Sequence, residues 1–206
     1  MKALSKNNEN PQGASRPFDK DRDGFILSEG AGMLMVEDYD EAKKRDTNII
    51  GEIIGYGITN DAFHITQPDN ESTGASKAIT MALNDAGINA SEVGYINAHG
   101  TSTPVGDTAE LSAVKNVFGD SLPFISSTKS LTGHSLGAAG VHEAIYTLLM
   151  MKNNFMCKSA HITKLDAAAK DMNVLIEKKE GSFDLAMSNS FGFGGTNASL
   201  VFKRYN

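Results

Sequence analysis

The 206-residue sequence is poor in several features whose absence excludes whole classes of protein. It has one cysteine, Cys157, so an internal disulfide and the usual thiol-rich zinc sites are both excluded. It has no apolar run approaching the roughly 20 residues that span a bilayer, so we expect no membrane segment. The N-terminus also lacks a signal-peptide core. These absences together predict a cytoplasmic protein in a reducing compartment.

Positive charge is scarce as well. The 19 lysines and arginines are outnumbered by 25 aspartates and glutamates, which gives a formal net charge of −6 at pH 7. The densest basic clusters are short, Lys43–Arg45 and Lys178–Lys179, so we expect no nucleic-acid partner. By contrast, 40% hydrophobic and 21% charged residues are typical of a folded globular chain.

The apolar periodicity predicts strands that alternate with helices. The clearest helix covers residues 71–85, with Asn70 or Ser72 as its N-cap and Gly87 just past its end. Helices are also predicted over 38–45, 107–118 and 136–151, and strands over 25–27, 33–36, 49–56, 95–98, 124–126, 174–176, 185–187 and 198–202. The last two strands should form a hairpin. This order predicts an α/β fold with a mixed sheet covered by helices.

Three loops that follow predicted strands carry chemically useful side chains. Asn97–Pro104 contains His99, Lys129–Ser135 contains Lys129 and His134, and Ser190–Asn197 is rich in glycine and phenylalanine. Because loops on a rigid scaffold often hold catalytic groups, two histidines and a lysine in such places indicate a site. A nucleophile is missing, since Cys157 follows a helix with no histidine or glycine turn nearby to activate it.

Two other motifs fail at a decisive position. Asp19–Gly24 begins like a calcium loop, but its twelfth position is Gly30 instead of the required glutamate. Gly192–Asn197 lacks the third glycine of the dinucleotide fingerprint and precedes a strand instead of a helix. The sequence therefore predicts neither a divalent-metal site nor a nucleotide cofactor.

The three loops, together with Arg16–Asp19 and Ser28–Gly32, resemble the C-terminal half of the β-ketoacyl-acyl carrier protein synthases of the type I/II class. The resemblance covers nearly the whole chain. It implies the C-terminal half of a thiolase-like fold, with a mixed five-stranded sheet covered by helices. Residues 1–48 would be the tail of the N-terminal half-domain, and residues 49–206 the C-terminal half-domain. The half that bears the nucleophilic cysteine would be absent from this chain, and the full enzyme would be a homodimer.

The resemblance also implies an acyltransferase activity in fatty-acid elongation. The reaction is a decarboxylative Claisen condensation of malonyl-carrier protein with an acyl thioester. His99 and His134 would donate hydrogen bonds to the malonyl thioester oxygen, as in an oxyanion hole. Lys129 would lie near the site and pair with Glu143, because a buried ammonium requires a carboxylate partner. Without the cysteine half, the chain alone should be inactive.

Substrate contacts follow from the same resemblance. Thr101 and Thr103 would hydrogen-bond the pantetheine amides of the acyl carrier protein, although the local sequence equally allows a Ser/Thr turn before Pro104. Phe193 would bind the acyl thioester oxygen through its N–H and gate the acyl pocket beside Phe191; otherwise both rings are hairpin core. The resemblance also suggests a monovalent cation near four potential oxygen ligands: Asn97, Glu143, Ser188 and Asn189.

Two other functions remain open from the sequence. The first is a non-catalytic assembly or chain-length subunit of a condensing-enzyme pair. The second is a type III or thiolase-like enzyme, which would prefer coenzyme A thioesters, although the type III pattern has asparagine where His134 stands. Type I and type II also stay unresolved, because Val141–Ala144 leans toward type I whereas Arg16–Phe18 and Phe63–Thr66 lean toward type II.

Overall fold

The computed structural model describes residues 3–69 and 71–205. Its strands are β1 Gly51–Asn60, β2 Tyr95–Asn97, β3 Phe124–Ser126, β4 Phe155–Met156, β5 Lys179–Glu180, β6 Leu185–Phe191 and β7 Thr196–Arg204. Five strands of the described residues form a sheet in the order β1-β7-β6-β2-β3. β2 runs parallel to β3 and β6, whereas β7 is antiparallel to β1 and β6. The predicted mixed five-stranded sheet and its terminal hairpin are therefore confirmed.

Helices cover both faces of this sheet. They are α1 Tyr39–Lys44, α2 Thr73–Ala86, α3 Pro104–Phe118, α4 Lys129–Thr132 and α5 Ala139–Asn153. α2 packs on β1 and β7 and touches α3, while α5 packs on β6. Adjacent residues of one strand enter different cores, since Ile96 lies in the core with α2 and α3 whereas Tyr95 lies in the core with α5. None of the helices within 3–69 and 71–205 has the length and apolar composition needed to cross a membrane.

Two glycines of β1 determine how closely α2 approaches the sheet. A Cβ at Gly57 would lie 2.0 Å from the carbonyl oxygen of Ala78, and one at Gly55 would lie 2.4 Å from that of Ala82. α2 therefore rests directly on the strand backbone. The helix ends as predicted at Gly87, which adopts φ 65°. Of the two predicted N-caps, Asn70 lies outside the described residues, and Ser72 has the position but makes no side-chain capping bond.

Three predicted strands are wrong. Residues 25–27 and 174–176 make only isolated bridges, and residues 33–36 form no strand within the described part of the chain. Met33 and Met35 are 90% and 86% exposed there, so their apolar character does not report sheet packing. A strand needs a neighbour for its backbone groups, and the described sheet ends at β1 and β3 instead. The helix predicted over 136–151 begins as a 3-10 turn at Leu136–Ala138, where Leu136 has φ 49°, and continues as α5 from Ala139.

Candidate active site

The two loop histidines meet at a cavity of about 330 Å³. His99 follows β2, His134 follows α4, and their ring centroids lie 5.4 Å apart at an interplanar angle of 87°. This histidine cavity is also lined by four of the predicted substrate contacts: Thr101, Thr103, Phe191 and Phe193. The structure therefore brings together side chains that are far apart in the sequence, since His99 and Phe193 are separated by 94 positions.

Both histidines are held in the neutral form. Burial lowers the pKa of His99 well below its ordinary value, and the Lys129 ammonium and His134 lower it further. Burial and Lys129 likewise lower the pKa of His134 to about 4. A neutral imidazole has one N–H donor and one acceptor nitrogen. At pH 7 each ring can thus supply one hydrogen-bond donor to the cavity without carrying charge.

The buried carboxylate of Glu110, on α3, fixes the backbone of the loop that carries His99. It accepts hydrogen bonds from the backbone N–H groups of His99 and Gly100 at 2.9 and 2.7 Å, and from the side-chain amide of Asn189 at 3.3 Å. Burial raises the pKa of Glu110, and the two backbone donors oppose that rise. Glu110 was not predicted from the sequence. The available signal is that Asp107 and Glu110 share the inward face of α3 with Leu111, where unpaired acids are unfavourable.

Lys129 joins the His99 loop to α5. Its ammonium donates to the carbonyl oxygen of His99 at 2.6 Å and forms an ion pair with Glu143, and both side chains are at least 97% buried. Burial raises the pKa of Glu143 to about 7, while the Lys129 charge opposes the rise. Among the described residues, Glu143 Oε2 has no hydrogen-bond partner. The Lys129–Glu143 pairing expected from the resemblance is present.

The threonine pair is presented by a loop with its own buried anchor. The hydroxyls of Thr101 and Thr103 lie 3.0 Å apart and face the histidine cavity. Between them, the N–H of Ser102 donates to Asp107 at 3.0 Å, and Asp107 pairs with Arg22 at 3.1 Å. Burial raises the pKa of Asp107 to about 7, against the effect of Arg22. The loop is therefore fixed by ionic contacts on the side away from the cavity.

Arg22 is the second contributor that sequence reasoning missed. Its guanidinium donates to the carbonyl oxygens of Thr103 and Pro104 at 3.2 and 2.8 Å, and it pairs with Asp166 at 2.7 Å. The side chain is 2% exposed. A charge cluster in a turn-rich segment resembles a solvated surface, so the local sequence gives no sign that Arg22 is buried.

The two phenylalanines occupy different environments around the β6–β7 turn. Phe191 is half-buried with its ring centroid 6.2 Å from that of His99, whereas Phe193 is 49% exposed at the cavity mouth. The turn continues through Gly194 and Gly195 at φ 83° and 77°, which glycine adopts readily. The N–H of Gly194 donates a hydrogen bond to the carbonyl oxygen of Ile65, in the loop that follows β1, at 2.8 Å.

The four residues suggested for a monovalent cation do not share one set of contacts, since the Asn97 side chain donates to the Glu143 carbonyl of α5 whereas the Asn189 side chain bonds Glu110 of α3. Asn97 and Ser188 are paired in register, and all four side chains are buried. However, the amide oxygens of Asn97 and Asn189 already accept hydrogen bonds from Thr128 and Ser199, at 3.3 and 2.9 Å. The Glu143 charge is also matched by Lys129. Within the described ranges, no three His, Cys, Asp or Glu side chains are grouped as a metal site.

The class of protein follows from this combination of fold and site. The structure is thiolase-like, and it matches a solved β-ketoacyl synthase from Burkholderia phymatum with a TM-score of 0.95 and 41% identity, over 100% of this chain and 50% of that one.

The chain belongs to the β-ketoacyl synthase family. The family model "Beta-ketoacyl synthase, C-terminal domain" matches residues 50–163, and the model "Beta-ketoacyl synthase, N-terminal domain" matches residues 1–42.

Two further relatives show the same partial coverage. The 3-oxoacyl-[acyl-carrier-protein] synthase 1 of Haemophilus influenzae is 53% identical over 100% of this chain and 50% of its own length. A type II PKS ketosynthase solved in complex with its acyl-carrier protein has a TM-score of 0.95 and 35% identity, over 100% of this chain and 51% of that one. The chain thus spans about half the length of the relatives it matches.

Proposed function

We propose that this chain is the histidine-bearing half of a 3-oxoacyl-acyl carrier protein synthase of fatty-acid elongation. The observation that carries the proposal is the pair of neutral histidines that line one cavity with their ring centroids 5.4 Å apart. The 53% identity to a synthase of that name supports the reaction class. Because the chain covers half of that relative, the active enzyme requires a second half that supplies the cysteine nucleophile.

The chemistry assigned to this chain is stabilisation of an enolate. When malonyl-carrier protein loses carbon dioxide, the electron pair of the broken C–C bond moves into the thioester and places negative charge on its oxygen. His99 and His134 donate hydrogen bonds to that oxygen, and neutral donors in a buried site suit this role. The enolate carbon then attacks the acyl thioester on the other half, and the cysteine thiolate leaves.

The remaining residues of the cavity bind and orient the substrates. Thr101 and Thr103 place two hydroxyls where they can contact the amides of a carrier arm, and Phe193 lies at the mouth where it can gate the acyl chain. The partner is an acyl carrier protein, a proposal supported by the related ketosynthase solved with its own carrier protein. We further propose a cytoplasmic homodimeric enzyme. We assign no resident cofactor to this step, because the two neutral imidazoles supply the N–H donors for the developing charge.

The experiment combines this chain with the N-terminal half of the Haemophilus synthase in one polypeptide. Malonyl-carrier protein decarboxylation and acyl condensation are then measured for the parent and for His99→Ala and His134→Ala. Loss of one oxyanion donor typically lowers kcat by about 100-fold to 1000-fold, and we expect that loss for each variant. His161→Ala, at an exposed histidine, serves as the matched control.

Two outcomes contradict the proposal. If both histidine variants keep the parental rate, the chain is an assembly or chain-length subunit. If the 206-residue chain alone converts malonyl- and acyl-carrier protein into product, the second half is not needed and the missing-nucleophile premise is wrong.

A further inference from the structure

The side chain of His142, in the first turn of α5, lies between two segments that support His134. Its Nδ1 atom is 3.0 Å from the hydroxyl of Ser135, the residue that follows His134. On its other side the ring leaves no room for a side chain at Gly30, where a Cβ would lie 2.6 Å from His142 Cε1. His142 therefore touches both segments that flank the catalytic candidate.

The backbone of His134 is fixed on one side by hydrogen bonds. Its N–H donates to the carbonyl oxygen of Ile26 at 2.7 Å, and its carbonyl accepts from the N–H of Ser28 at 3.0 Å. Segment 26–28 therefore holds the peptide groups of His134 itself. The chain that continues from this point into α5 is held by a backbone bond from the Ala138 N–H to the Ser135 carbonyl at 3.1 Å, and by the His142 side chain.

That continuation contains an unfavourable residue. Leu136 adopts φ 49°, and its side chain is 49% exposed, so packing does little to hold it there. A left-handed conformation is unfavourable for an L-residue with a Cβ. The Ser135–His142 hydrogen bond spans the turn that contains Leu136 and, together with the backbone bond from Ala138 to Ser135, offsets this strain.

The first turn of α5 supports both catalytic loops at once. His142 contacts Ser135 beside His134, and the next residue, Glu143, pairs with Lys129, which in turn binds the carbonyl of His99. Consecutive helix residues point about 100° apart, so one turn can reach two loops. His142 itself is not among the described residues that line the histidine cavity.

We propose that His142 is a positioning residue, which orients the His134 ring toward the substrate through its hydrogen bond to Ser135. The inference rests on the proposed function, because it assigns His142 a part in the same enolate-stabilising step. The role is indirect, since His142 holds the main chain and does not contact the substrate.

The test is a double-mutant cycle in the two-half enzyme described above. Ser135→Ala, His142→Ala and the double variant are compared for malonyl decarboxylation. Loss of a single hydrogen bond corresponds to roughly a fivefold to tenfold change, so we expect kcat to fall by that factor in each single variant with KM unchanged. The double variant should fall no further, because both substitutions break the same bond.

Two substitutions separate the hydrogen bond from the ring's bulk. His142→Asn places an amide near the position of Nδ1 and should restore kcat to within about twofold of the parent. His142→Phe fills the space beside Gly30 without a polar atom and should behave like His142→Ala. Thermal unfolding of each variant identifies any that fail to fold, and Ser135→Ala with His142→Asn then carries the comparison.

Independent, additive losses in the cycle would overturn the inference, as would an asparagine variant no better than phenylalanine or a kcat that does not change. Failure of the proposed function has a different signature: His134→Ala would then retain the parental rate, whatever the His142 variants do.

Discussion

Removal of the Lys129 ammonium tests the electrostatics of the site directly. Lys129→Met keeps most of the side-chain volume but leaves Glu143, which is 2% exposed, without its counter-charge. It also removes the donor to the carbonyl oxygen of His99. The lost hydrogen bond alone should cost about 1–2 kcal/mol of unfolding free energy, a cost that does not depend on pH.

The additional cost depends on the ionisation of Glu143. Burial raises its pKa from the ordinary 4.5 to about 7 in the folded chain. A carboxyl whose pKa is raised by folding contributes stability at pH values below its pKa in the unfolded chain. This contribution is lost as the pH rises toward its pKa in the folded chain. Parent and variant lose it in parallel between pH 4.5 and about 7. Without Lys129 the folded pKa lies higher still, so above pH 7 only the variant continues to lose stability.

The magnitude follows from about 1.4 kcal/mol per pKa unit. Between pH 7 and pH 9 the difference in unfolding free energy between parent and Lys129→Met should grow by as much as about 3 kcal/mol. The total at pH 9 is then about 3–5 kcal/mol, the range found when one partner of a buried pair is removed. Glu143→Gln in the same background should remove most of this pH dependence, and the remainder belongs to Glu110, whose pKa Lys129 also lowers.

The assay is urea unfolding at pH 6, 7.5 and 9, followed by circular dichroism. Lys44→Met is the matched control, because Lys44 pairs with Glu41 while both side chains are 65–67% exposed. Its effect should stay below about 0.5 kcal/mol at every pH. A difference for Lys129→Met that is equal at pH 6 and pH 9, or a pH dependence of that difference that stays undiminished with Glu143→Gln, refutes the reasoning.

Two further predictions concern buried contacts of the helices, one at Glu110 of α3 and one at Gly57, on which α2 packs. Glu110→Ala should lower the unfolding free energy by about 3 kcal/mol or more, because it strands two buried backbone N–H groups; Glu110→Gln keeps one acceptor and should cost less, and equal effects in thermal unfolding would contradict this account. Gly57→Ala should cost about 3 kcal/mol, since its Cβ would lie 2.0 Å from the Ala78 oxygen. Gly137→Ala, with nothing within 4 Å of its Cβ, should leave the melting temperature unchanged.

Local patterns predicted the elements whose burial is periodic. The stripe of Ala75, Ala78, Ile79, Ala82 and Leu83 is entirely buried, so the α2 prediction was correct within two residues. The same reasoning failed at Met33 and Met35, which are exposed. Sequence shows that a segment is apolar, but not whether a neighbouring strand is present to pair with it.

The meeting of the two loops depends on topology that no single motif contains. β2 and β3 are parallel neighbours, so the loops with His99 and Lys129 leave the same edge of the sheet. His134 is held at the cavity by backbone hydrogen bonds to Ile26 and Ser28, and no sequence pattern indicates these bonds. Glu110 and Arg22 were missed for a related reason: their partners are mostly backbone groups, whose position is known only after folding.

The backbone bonds between segment 26–28 and His134 join the two family models, because Ile26 and Ser28 fall in the N-terminal match and His134 in the C-terminal one. Main-chain atoms are the same in every residue other than proline. The contact therefore survives substitution at any of the three positions that leaves the backbone path intact. Descendants of one ancestral gene can accumulate differences on either side of this junction, or exchange sides by recombination, while the histidine keeps its place.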